Sequence, residues 1–116
     1  MTPKLMTSPV LLLCPSVPIW KVGNDFYFDR KFHDGVVMYC ENWQGSVRLI
    51  MRLTGNPMPA FGAVKLNHDS FPAEVVILEK SNEVCREHLK RVSVVLASGD
   101  NYKNLPVSAL CQELSI

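Results

Sequence analysis

Apolar positions recur along the chain in short bursts separated by turn-forming residues. Val10-Leu11-Leu12-Leu13-Cys14 is an unbroken apolar run closed by Pro15. Such a run, without alternation, suits a strand covered on both faces, as in a parallel sheet. Ile19-Trp20-Lys21-Val22 and Phe26-Tyr27-Phe28 flank Gly23-Asn24-Asp25, which predicts a small hairpin. Asp29 is placed to cap a helix. Phe32, Val36, Cys40 and Trp43 follow at spacings that share one helical face, Tyr39 widens that stripe, and Gly45 is the expected stop.

The second half repeats the alternation of strand and helix. A strand is predicted at Val47-Arg48-Leu49-Ile50-Met51-Arg52-Leu53, with its two arginines on one side, so that one face or end is wet. Residues 54–72 are rich in Gly, Pro, Asn and Asp and predict a long loop. Glu74-Val75-Val76-Ile77-Leu78 reads as a third strand. Ser81 then caps a short helix turning Val84, Cys85, His88 and Leu89 inward. Val92-Ser93-Val94-Val95-Leu96-Ala97 reads as a fourth strand. A last helix begins near Asn104, with Val107, Leu110, Cys111 and Leu114 as its apolar stripe. Strands alternating with helices predict an α/β fold on a mainly parallel sheet of about four strands plus the hairpin, in one domain over residues 1–116. The chain closes on Ser115-Ile116 at the end of a helix, where another strand would be expected. An unfinished unit with an apolar edge left for a partner is therefore anticipated.

Composition narrows the function classes. With 47% hydrophobic and 20% charged residues the chain is globular in character. A net charge of +1 excludes the strong basic field of a general nucleic-acid binder. The four cysteines lie far apart without a C-x-x-C pair, which argues for reduced, mostly buried thiols, a cytoplasmic setting and no metal site. No segment has the roughly 20 apolar residues of a membrane span, and the amino terminus lacks a signal-peptide core. The G-x-G-x-x-G, Walker and G-x-S-x-G patterns are absent, and no cofactor is implied.

In open parallel sheets, ligands bind beyond the carboxyl ends of the strands, where strand order reverses. Three segments reach that edge: Pro15-Ser16-Val17-Pro18, Glu79-Lys80-Ser81 and Ser98-Gly99-Asp100-Asn101. If the first and fourth strands are neighbours, the first and third segments face each other. The run Asp29-Arg30-Lys31-Phe32-His33 opens the first helix, where the dipole and two cations favour an anion or a sugar hydroxyl network; a plain capped helical turn is the alternative. His33 and His68 are candidates for proton transfer or simply surface histidines, and His88 is expected to be packed. Asp100 is either an active-site carboxylate or a turn aspartate. Trp20, Trp43 and the Phe-Tyr-Phe run are expected in the core rather than as a sugar-stacking platform.

Phe28-Asp29-Arg30-Lys31-Phe32-His33-Asp34-Gly35, Tyr39-Cys40 and Trp43-Gln44-Gly45-Ser46-Val47 resemble the opening of bacterial family-4-like glycosyltransferases. Val94-Val95-Leu96-Ala97-Ser98-Gly99-Asp100-Asn101 and Leu110-Cys111-Gln112-Glu113-Leu114 resemble their fourth strand and following helix. The resemblance implies a GT-B architecture, of which this chain would be part of the Rossmann-like, three-layer N-terminal domain that binds the acceptor. Nothing in the chain resembles the domain that binds the nucleotide-sugar donor, so turnover by this chain alone is not expected. The resemblance further implies glycan or lipid-linked acceptors, polysaccharide biosynthesis, and peripheral membrane association of the full enzyme. Ser16, Asp29, Arg30, Lys31 and His33 would lie on the acceptor or phosphate side, and Ser98, Gly99 and Asp100 near the reacting centre, Asp100 as the catalytic candidate. Relatives often carry a histidine where this chain has Ser98-Gly99-Asp100. The competing reading is a non-catalytic module that self-associates or binds a protein through its unfinished edge; a third is a small enzyme completed by dimerisation.

Overall fold

The computed structural model describes residues 9–79, 84–97, 111, 112 and 114. Among the described residues the protein is an α/β fold with a mixed seven-stranded sheet and one complete α-helix. Strand β1 (Val10–Cys14) is buried at all five positions, as its unbroken apolar run requires. It pairs in parallel with β4 (Ser46–Leu53) and with β7 (Val92–Ala97). Strand β6 (Glu74–Leu78) runs parallel to β4. Arg48 and Leu49 are paired to β1 and to β6 at once, so those two strands occupy opposite sides of β4. The parallel part of the sheet is therefore ordered β6-β4-β1-β7, and the order reverses between β1 and β7.

The sheet is larger than the four strands and hairpin expected. After Pro15, β2 (Pro18–Val22) continues along the same edge of β4, pairing Pro18 with Arg52 and Ile19 with Leu53. It then turns back as β3 (Asp25–Asp29). Gly23 opens that two-residue turn at φ +62, a conformation that glycine adopts without strain. A further strand, β5 (Ala63–Lys65), pairs antiparallel with β3 inside the segment expected to be all loop. An edge strand of three residues has too little pattern to be seen against surrounding Gly and Pro. What holds it is tertiary: Leu66 N–H donates to the Phe26 carbonyl at 2.8 Å, and Arg30 N–H donates to the Gly62 carbonyl at 2.7 Å.

Helix α1 (Arg30–Asn42) begins where expected. Asp29 is extended and its carboxylate accepts from Phe32 N–H at 3.1 Å. The helix ends at Trp43 rather than at Gly45. Gly45 answers a different need: a Cβ there would overlap the Pro9 carbonyl, which accepts from both Ser46 N–H (3.0 Å) and Trp43 Nε1 (3.1 Å).

Alternation along the parallel strands builds two cores. On the α1 face, Leu11, Leu13, Val47, Leu49 and Met51 pack with Val36 and Phe28. On the other face, Val10, Leu12, Cys14, Ile50 and Leu78 pack with Val84 and Leu89. Arg48 lies on that second face and is not wet: it pairs with Glu74 at 2.5 Å and donates to the carbonyls of His88 (2.6 Å) and Lys90 (2.9 Å). Among the described residues of the crossover from β6 to β7, Arg86–Leu89 form a 3-10 turn where an α-helix was expected. There Val84 and Leu89 are buried as expected, but His88 is half-buried and Cys85 exposed. No helix among the described residues is long and apolar enough to cross a membrane.

Candidate functional site

The carboxyl ends of β1 and β7 and the face of α1 from Lys31 to Tyr39 line a pocket of about 380 Å³. Its volume sits at the small end of the range for ligand pockets, roughly 300–1,000 Å³. It lies where the strand order reverses. Leu13, Cys14 and Pro15 come from the end of β1, and Leu96 and Ala97 from the end of β7. Leu13 pairs with Leu96 and Cys14 with Ala97, so the two strand ends form one continuous wall. Across from them α1 contributes Lys31, Phe32, Gly35, Val36 and Tyr39.

The lining is apolar, with two polar side chains, the Lys31 ammonium and the Tyr39 phenol, besides the Cys14 thiol. Burial pushes the Cys14 thiol up to about 11, with a smaller upward push from Cys111 that outweighs the opposing pull of Arg52. Cys14 is therefore protonated at neutral pH and has the character of a small apolar residue, not a nucleophile. None of the four cysteines is in a disulfide. Among the described residues no group of His, Cys, Asp or Glu could hold a metal ion.

The residues singled out from the sequence divide sharply. Lys31 lines the pocket. Ser16 is exposed, one residue beyond the Pro15 wall, and Arg30 is exposed on the same first helical turn without reaching the lining. Asp29 is engaged as the helix cap. His33 turns away from the pocket: its ring lies 5.5 Å from Phe28 and 5.3 Å from Phe71, and its Nδ1 is 2.9 Å from Asp34 Oδ1. These contacts make His33 part of an aromatic cluster with Phe28, Phe32 and Phe71. His68 is likewise edge-on to Phe26 at 6.3 Å. Ser98, Gly99 and Asp100 lie outside the described residues, as do Lys80 and Ser81.

Gly35 and Tyr39 were not anticipated as pocket residues. Helical spacing puts Tyr39 beside the apolar stripe, and the fold leaves it 47% exposed at the pocket rim. A glycine inside a strong helical pattern was the one sequence signal that could have drawn notice.

A second groove, of about 410 Å³, lies toward the opposite ends of the strands, lined by Arg48, Glu74, Glu87, His88, Lys90 and others. Its polar groups are largely committed to one another. Arg48 holds two carbonyls and Glu74, while His88 Nδ1 accepts from Cys85 N–H at 2.9 Å. Burial, and next the Arg48 charge, push the His88 imidazole below its ordinary value, which suits an acceptor ring.

No family model, no curated protein and no solved structure matches this chain.

Proposed function

We propose that the chain is the acceptor-binding, Rossmann-like N-terminal portion of a cytoplasmic GT-B glycosyltransferase, unable to transfer sugar without a donor-binding domain. The observation that carries the ligand-binding part of this reading is the pocket between the ends of β1 and β7. It occupies the crevice that open α/β sheets use for ligands. The sugar-transfer part rests on the resemblance at residues 28–35, 39–40, 43–47, 94–101 and 110–114. Lys31 is the cation at the pocket, suited to an acceptor's phosphate or to the charge that develops on a departing diphosphate. His33 is held in the aromatic cluster and does not line the pocket.

The test is ligand-detected NMR on the purified chain with a panel of nucleotide-sugars, oligosaccharides and sugar phosphates, repeated with Lys31→Ala and Asp100→Ala. A bound glycan whose signal weakens in Lys31→Ala supports the reading. No bound sugar in the panel, or binding that neither substitution alters, defeats it.

A second reading has one specific observation in its favour. Among the described residues β7 pairs with β1 alone, and on its α1 face Val94 is 40% and Leu96 44% exposed. A non-catalytic module that pairs two copies through β7 would cover both residues. Light scattering across a concentration series decides between a monomer and this dimer.

A further inference from the structure

Five glycines are described: Gly55 lies in the exposed loop after β4, and the other four differ in what their surroundings require. Gly23 and Gly62 adopt positive φ, at +62 and +82. Gly45 makes room for the Pro9 carbonyl. Gly35 meets neither condition. It lies inside α1, where glycine is unfavourable relative to alanine, and an added Cβ would touch nothing within 4 Å. Packing and backbone geometry thus leave its identity unexplained. The pocket explains it, because the space in front of Gly35 is the pocket itself.

Lys31, Gly35 and Tyr39 follow at spacings of four residues and form one row along the helix, with Gly35 as a notch between two long side chains. Beyond the notch lie Leu13, Phe32, Val36 and, from β7, Leu96. Lys31 is the one charged residue of the lining among the described residues. We infer that the pocket binds an amphiphilic anion. Its apolar chain enters through the notch at Gly35, and its phosphate or carboxylate head stays at the rim on the Lys31 ammonium. Gly35 sets the width of the entry, and local helix stability is given up to keep it open. The inference rests on the reading of this pocket as a ligand site, but it does not require sugar transfer.

The probes are n-decyl phosphate, n-decanoate, n-decanol and inorganic phosphate, each below its micelle concentration, titrated into the full chain and followed by amide NMR shifts. At least one of the two amphiphilic anions binds tenfold or more tighter than decanol, and inorganic phosphate alone produces no saturable shift. Gly35→Leu fills the notch and lowers the affinity for that anion at least tenfold, while the circular dichroism spectrum keeps its wild-type form and the melting temperature is at least that of the wild type. Lys31→Gln, a surface change compatible with any fold stability, brings the anion down to the level of decanol. Equal binding of decanol and both anions, competition by inorganic phosphate, wild-type affinity in a folded Gly35→Leu, or wild-type affinity in Lys31→Gln each overturn the inference. Comparing the phosphate with the carboxylate identifies the head group. Binding of an alkyl anion together with failure of every sugar would leave this site standing and remove the glycosyltransferase reading. Sugar binding without alkyl-anion binding would do the reverse.

Discussion

Gly45→Ala is the sharpest probe of how the first parallel pair is held together. The added methyl would overlap the Pro9 carbonyl oxygen and lie 2.8 Å from Trp43 Nε1 and 3.0 Å from the Pro9 carbonyl carbon. The obstacle is backbone, so it yields only if the chain at Pro9 moves. That oxygen accepts from Ser46 N–H and from Trp43 Nε1, and moving it loosens both hydrogen bonds. Each contributes about 0.5–1.5 kcal/mol, and their loss also disturbs the adjoining Val10–Ser46 pair. Alanine restricts the unfolded chain, which returns about 0.4–1 kcal/mol. The net expectation, with the disturbed strand pair included, is a destabilisation of about 1–2.5 kcal/mol, or a fall of about 4–10 °C in melting temperature for a domain of this size. Gly35→Ala is the matched control on the same helix–strand unit. With no atom within 4 Å of the new Cβ, it gains up to about 1 kcal/mol of helix propensity and melts higher. Thermal and urea unfolding followed by circular dichroism read both. A Gly45→Ala protein as stable as wild type, or the two variants moving in the same direction, would refute the reasoning.

Two further outcomes follow from buried groups. Arg48→Met removes the donor to two backbone carbonyls as well as the Glu74 partner, and is expected to cost about 2–3 kcal/mol in urea unfolding. Glu74→Gln costs under about 1 kcal/mol because the Glu74 side chain is 60% exposed; equal losses would show that the ion pair, not the carbonyl bonding, is what matters. Cys14 is protonated in the folded protein up to about pH 11 from an ordinary value of 9.0, so its burial favours folding below pH 9. As pH rises from 9 to 11 the unfolded thiol ionises while the folded one does not, and stability falls by an amount on the order of 2–3 kcal/mol. A Cys14→Ala protein should lose that slope in its urea midpoint, and an unchanged slope would assign the effect to other groups.

The features that were legible in the chain are those with a local cause. Five apolar residues in a row can be satisfied only by cover on both faces, and β1 has it. Asp29 caps α1 because a carboxylate before an amphipathic run accepts from the first free amides wherever that helix goes. The neighbouring of β1 and β7, on which the pocket depends, was anticipated only as a condition. It is decided by pairing between segments some 80 residues apart. Position within the fold also sorted chemically similar residues. Lys31 faces the pocket, while His33, two residues on, is turned by the helix onto Phe28 and Phe71. Arg48, read as a sign of a wet face, became the clamp between β4 and the β7 crossover.

The chain by itself determined where the backbone extends, coils and turns, since steric preference, periodicity and capping act within a few residues. Only tertiary structure decided that Gly35 faces open space and that β5 is a strand, because both depend on what stands opposite, and short-range preference carries no information about that.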